Sequence, residues 1–237
     1  MLTENKFSKY LIYGIGEIVL VVIGILIALQ LNNLNEESKI DTIRKVYYNQ
    51  LLQDFEKDKN YIEKWTLELD SNMVKLKTYK ESFRQPNIPT FQIIQSARNL
   101  SWTFKQIQFQ SNTINTLQNT GDIKLLPVHI RNKIIEYNRI QEATTVISSK
   151  TNQMGVDNIS VATTRYFGSP DLMDRMVNQP QLLEYVFEEN RQIQIIIALE
   201  AAQDMKERSE LLTINSFNKM LVDIDEITKL INNELEE

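Results

Sequence analysis

Between Tyr10 and Leu31 the chain reads YLIYGIGEIVLVVIGILIALQL, in which 14 of 22 positions are Leu, Ile or Val. No polar face interrupts the stretch from Ile18 to Leu29. At ~1.5 Å per residue this stretch covers ~33 Å, close to the ~30 Å hydrocarbon thickness of a bilayer. About −0.4 kcal/mol for each branched aliphatic residue sums to roughly −6 kcal/mol, against about +3 kcal/mol for a central Glu17, so insertion is favoured. A cleaved signal peptide should end in a small-x-small site, whereas Ala28-Leu29-Gln30-Leu31 runs into Asn32-Asn33-Leu34-Asn35-Glu36-Glu37. A soluble core helix should show a polar side. The pattern therefore predicts an uncleaved transmembrane helix, with Tyr10 and Tyr13 at headgroup level.

Beyond the anchor the apolar positions become spaced. Phe55, Ile62, Leu69, Leu76 and Phe83 recur every seven residues, with Trp65, Met73 and Tyr79 between them. That spacing predicts a long helix over 40–83 with a narrow seam of coiled-coil type, ended by Pro86 and Pro89. No Gly or Pro separates it from the membrane span, so anchor and stalk are expected to form one nearly continuous helix. Thr90 is placed to cap a short helix through Leu100, and Ser111 or Asn112 a second one ending before Gly121. Pro127 suits the first turn of another long helix carrying Ile130, Ile134, Tyr137, Ile140, Ile147 and Met154 on its apolar side. A bend or weak point is expected at Gly155. Gly168, Pro170 and Pro180 mark a break before the last segment, about Gln181 to Leu235. There Phe217, Met220, Ile224, Ile227 and Ile231 keep three-four spacing, and the apolar run Ile193 to Leu199 is expected to be central.

No run alternates with period two between turn signals, so strands have no support. The expected class is all-α: an N-terminal transmembrane helix continuing into a long-helix antiparallel bundle with short connecting helices. The division expected is a short cytoplasmic tail over 1–9, the anchor over 10–34, and a soluble helical bundle over 35–237.

Composition narrows the chemistry. The 237 residues include only 6 Gly and 5 Pro, consistent with long uninterrupted elements, and no Cys, which removes disulfides and thiol chemistry. A net charge of −5 without a basic stripe argues against nucleic acid as a partner. His129 is the lone histidine and is read as a surface residue, so a histidine metal site or a Ser-His pair lacks its parts. Glu188-Glu189 and Glu236-Glu237 look like solvated ends. Trp65, Trp102, Tyr137 and Phe217 fit core positions better than a ligand pocket. Asn119-Thr120-Gly121-Asp122 reads as a structural corner, with a partner-recognition loop as the alternative. These readings favour a non-enzymatic protein without cofactor or metal.

Glu17 is the most pointed residue, since an ionisable group within a span is costly. Helical spacing places it beside Leu20, Gly24, Ala28 and Leu31, and Gly24-x-x-x-Ala28 permits close helix approach. Two readings stand together: a helix-association face built on Glu17, Gly24 and Ala28, or a glutamate that snorkels to the nearer headgroups beside incidental small residues. Basic residues nearly balance across the span, with Lys6 and Lys9 before it and Lys39, Arg44 and Lys45 after it. A short basic tail ahead of a first apolar helix favours a cytoplasmic N-terminus and a periplasmic C-terminal region.

The stretches Glu4-Asn5-Lys6-Phe7-Ser8-Lys9-Tyr10, Gly16-Glu17-Ile18-Val19-Leu20-Val21-Val22-Ile23-Gly24-Ile25-Leu26-Ile27-Ala28-Leu29-Gln30 and Asn32-Asn33 resemble the opening of a family of small bacterial single-pass membrane proteins. Leu117-Gln118-Asn119-Thr120-Gly121-Asp122-Ile123 resembles a second segment of that family, which is described only as a domain of unknown function. The resemblance implies a bacterial inner-membrane location and a helical region, and supplies no activity. The function expected is interaction or scaffolding, with the lipid bilayer, a second copy through anchor and stalk, or another membrane protein as partner. The alternative is an extracytoplasmic ligand-sensing bundle that signals through a membrane partner.

Overall fold

The computed structural model describes residues 4–164 and 175–236, so the expected breakers Gly168 and Pro170 lie outside the described residues, as do the side chains of Lys6, Lys9 and Tyr10. Among the described residues all regular structure is helical. It comprises α1 (Glu4–Ser82), α2 (Thr90–Ala97), α3 (Asn112–Thr120), a 3-10 turn (Asp122–Leu125), α4 (Val128–Ala162), α5 (Pro180–Val186) and α6 (Glu189–Glu236). The chain divides into two compact units, Met1–Gln50 and Leu51–Glu237.

In the first unit, α1 is long and apolar enough to cross a membrane by length and composition, and none of its apolar window is buried. Leu20, Ile25, Leu26 and Leu31 are all more than half exposed. Burying a side chain of this kind is worth about 1.5–3 kcal/mol, so leaving this surface in water is costly.

In the second unit, the seven-residue seam of α1 is buried at Phe55, Ile62, Leu69 and Leu76, and Phe83 closes it half-buried. Lys59 meets Asp225 at 2.7 Å, Asn72 meets Glu210 at 3.2 Å, and Lys80 meets Glu207. Rising numbers pair with falling ones, so α6 runs opposite to this part of α1. Helix α4 also opposes α6, because Lys133 meets Glu226 at 2.7 Å and Thr151 meets Ser209 at 2.7 Å. Helices α1 and α4 are therefore parallel, and the chain between them must travel back along α1.

Part of that return is not helical. Lys105 bonds Glu68, the Gln108 N–H reaches the Tyr61 hydroxyl, the Gln110 N–H reaches Asp58 and the Thr113 N–H reaches Asp54. From 105 to 110 the segment passes ten helical residues of α1, ~15 Å. This advance of ~3 Å per residue is that of an extended chain rather than a helix. Residues 101–111 thus form a strap laid along α1. Side chains of the strap pack as they go: Phe109 lies edge-on to Tyr61 and Phe217, with centroids 6.0 and 6.1 Å apart.

Several expectations are corrected at the level of side chains. Helix α2 starts at Thr90 with Pro89 in the cap position, and the Thr90 hydroxyl donates to Gln192 instead of capping. Helix α4 continues through Gly155 without a break. A Cβ there would sit 2.3 Å from the Phe104 ring, so this glycine makes room for the strap rather than breaking the helix. Ile147 and Met154 are about half exposed, and the buried side of α4 just beyond Tyr137 is polar, with Asn138, Gln141, Thr144 and Ser148. In α6 the run Ile193 to Leu199 buries Ile195 alone, while Ile197 is 63% exposed. The three-four pattern at Phe217, Met220, Ile224, Ile227 and Ile231 is fully buried as expected. Gly121 ends α3 in the left-handed region at φ 78°, the conformation a glycine adopts without strain.

Candidate functional site: a polar layer inside the helical unit

Two apolar layers enclose a polar one. On one side Phe55 packs edge-on to Tyr137 at 5.3 Å, with Ile130, Ile134, Met220 and Ile224 also buried. On the other side Leu76, Tyr79, Ala97 and Leu100 form a cluster joined by Phe83, Trp102 and Leu199. Between them lie the buried polar residues Asp58, Gln141, Thr144, Ser148, Lys206, Ser209, Glu210 and Thr213. Such groups are tolerated in a core only when hydrogen-bonded, so their partners carry the account.

Asp58 is 1% exposed and accepts from the Gln110 N–H at 2.7 Å, the Tyr137 hydroxyl at 2.9 Å and Gln141 Nε2 at 2.6 Å. Burial pushes its carboxyl up to about 6, and the backbone and side-chain donors offset only part of that. The Tyr137 hydroxyl is raised by its own burial and by the neighbouring Asp58 charge. One helical turn earlier, Asp54 takes both the Thr113 N–H at 3.2 Å and the Thr113 hydroxyl at 2.7 Å. Ser111 occupies the cap position of α3 but makes no side-chain cap, so Asp54 supplies that acceptor from another helix. These two carboxylates fasten the strap and the start of α3 onto α1.

Further along, Lys206 and Glu210 form a buried ion pair within α6, and Asn72 Nδ2 donates to the same carboxylate at 3.2 Å. Ser209 accepts from Thr151 at 2.7 Å and donates to Asn152 Oδ1 at 3.1 Å. Asn152 Nδ2 in turn donates to the Lys105 carbonyl of the strap at 2.8 Å. The cavity among Trp65, Asn72, Phe104, Lys206 and Glu210 is only about 30 Å³, room for a water or two. A wider groove of about 630 Å³ lies between the strap and α4, lined by Ile107, Gln108, Phe109, Asn138, Gln141 and Val146 among others. Gln141 Oε1 has no hydrogen-bond partner although the residue is 3% exposed. Among the described residues no group of three or more His, Asp or Glu is gathered to hold a metal.

Of the residues singled out from sequence, Glu17, Gly24 and Ala28 lie on the exposed helix of the first unit, within a narrow arc of its surface at 100° per residue. Beyond its own turn of helix, nothing stands within 4 Å of where a Gly24 Cβ would lie. His129 is exposed near the start of α4. Asp54, Asp58, Gln141, Lys206 and Glu210 escaped the sequence reading. A signal for Asp58 existed, since it falls three residues after Phe55 in the heptad, where a seam residue belongs, as its partner-layer residue Asn72 does after Leu69.

Helix-only architecture, one exposed apolar helix and a strap-bound polar core define an all-α protein with a candidate membrane span. Residues 17–121 match the Family of unknown function (DUF6090), a range that takes in Glu17, the strap and Gly121. No curated protein and no solved structure matches the chain.

Proposed function

We propose that this chain is a non-enzymatic interaction protein held by one helix in a bacterial cytoplasmic membrane, with its N-terminus inside and its helical unit on the outer side. The observation that carries the reading is the helix surface from Ile15 to Leu34, whose large aliphatic side chains stand exposed. Lipid is the solvent that such a surface requires, and exposed apolar patches of this size mark membrane or partner contact. The seam of α1 beyond Leu51 is filled by residues of its own chain, which leaves the span as the surface for self-association. There Glu17, Gly24 and Ala28 share one side. Paired helices would let Glu17 hydrogen-bond across the interface while the small residues bring the backbones together.

The test compares oligomer size in mild detergent and in native membranes after brief crosslinking. The full chain should run as a dimer or higher species, and Glu17→Leu and Gly24→Leu should each shift it toward monomer. An unchanged size for both variants rejects the association face. A second reading, a ligand-sensing bundle, draws on the polar layer around Lys206 and Glu210. A cavity of about 30 Å³ suits water better than a metabolite, and the interaction reading is preferred on that ground.

A further inference from the structure

The strap has two edges, and α1 occupies only one of them. In an extended chain the backbone N–H and C=O of successive residues point to opposite sides. Gln108 and Gln110 turn their N–H groups to Tyr61 and Asp58 on α1. The odd-numbered residues must then face the other way, and Lys105 does so, with its carbonyl on Asn152 of α4. Strap and α4 are tied together at that point. Farther along they part, and the groove of about 630 Å³ opens between them. Among the described residues, the backbone groups of Ile107 and Phe109, which face this side, make no hydrogen bond.

We infer that this groove receives an extended polypeptide segment of four or five residues, which adds to the free edge of the strap as a strand would. The inference rests on the reading of the chain as an interaction protein and names the chemistry of the partner. Two features select a peptide. The free groups at Ile107 and Phe109 repeat with the two-residue period of an extended backbone, which a partner backbone matches. The opposite wall presents amide side chains, Asn138 and Gln141 on α4 with Asn115 at the end, that can bond the far edge of an inserted peptide. Asn152 already does this to the strap itself. The charge within the groove is the Glu142 carboxylate, itself bonded to Asn138, so the bound segment is uncharged along most of its length.

The probe is a phage-displayed library of random twelve-residue peptides, selected on the full chain in lipid nanodiscs. Enriched peptides, synthesised and titrated by fluorescence polarisation, should bind, and N-methylation should weaken them about tenfold at every second residue while the residues between tolerate it. Asn115→Arg and Val146→Arg fill the groove from exposed positions and should each weaken binding about tenfold or more, whereas Val222→Arg on the far side of α6 should not. Failure to enrich any peptide, or binding indifferent to alternate N-methylation or to both groove variants, overturns the inference, as does selective binding of arrayed glycans instead. The oligomer-size measurement stays independent: if it shows self-association through the span while peptides fail here, the groove proposal alone falls.

Discussion

Asp58 shows how one residue can tie three parts of a fold together. Its carboxylate joins α1 to the strap through Gln110 and to α4 through Tyr137 and Gln141. Because its folded-state value lies near 6 and the unfolded value near 3.8, the folded protein holds the proton more tightly than the unfolded chain. That proton linkage therefore stabilises the fold below about pH 4 and is lost as the pH rises to about 6, an effect of up to about 3 kcal/mol. Urea unfolding from pH 4 to 7 should show this decline in wild-type protein, and it should be flattened in Asp58→Asn. A wild-type stability that rises through the same window contradicts the assignment. The ion pair of Lys206 with Glu210 follows the same logic of burial, since removing one partner would leave a charge in the core. Sequence hinted at these groups only through their position. A polar residue at a seam position signals a buried partner, but not which one.

At the scale of elements, the strap and α4 are fitted to each other at Gly155. Ring atoms of Phe104 lie 2.3 and 2.7 Å from where a Cβ would stand, so Gly155→Ala must push the ring or the strap aside. The substitution gains about 1 kcal/mol in helix propensity yet should destabilise overall by about 1–3 kcal/mol through overpacking. Trimming the ring should relieve the strain, and a double-mutant cycle of Gly155→Ala with Phe104→Leu in thermal unfolding should show a favourable coupling. Additive effects would mean the two residues do not press on each other. The heptad in α1 was legible because apolar residues hold Phe55, Ile62, Leu69 and Leu76, and the pattern of α6 from Phe217 onward because every inward position there is apolar. In α4 two helical stripes competed, one through Ile140, Ile147 and Met154 and one through Gln141, Thr144 and Ser148. Hydrophobicity favoured the first. The polar layer of α1 and α6 selected the second, since Asp58 already needed Gln141.

For the whole molecule, the two units differ in how their apolar residues are covered. The apolar window of α1 has no protein cover, whereas the helical unit buries its own core from Phe55 to Ile231. A chain lacking residues 1–34 should therefore stay monodisperse in plain buffer, with a helical far-UV spectrum, while the full chain should need detergent or lipid. Aggregation of the shortened chain, or a detergent-free monomer of the full one, would contradict that division. By itself the sequence determined the helical class, the apolar window, the seam of α1 and the corner at Gly121. Each of these follows from local periodicity or from backbone conformation within a few residues. Only the tertiary structure decided that residues 101–111 lie extended, that α4 turns its polar stripe inward, and that Asp54 caps a helix some 60 residues away. Those outcomes depend on which donors and acceptors meet across distant segments, and a buried polar group takes its meaning from the partner that satisfies it.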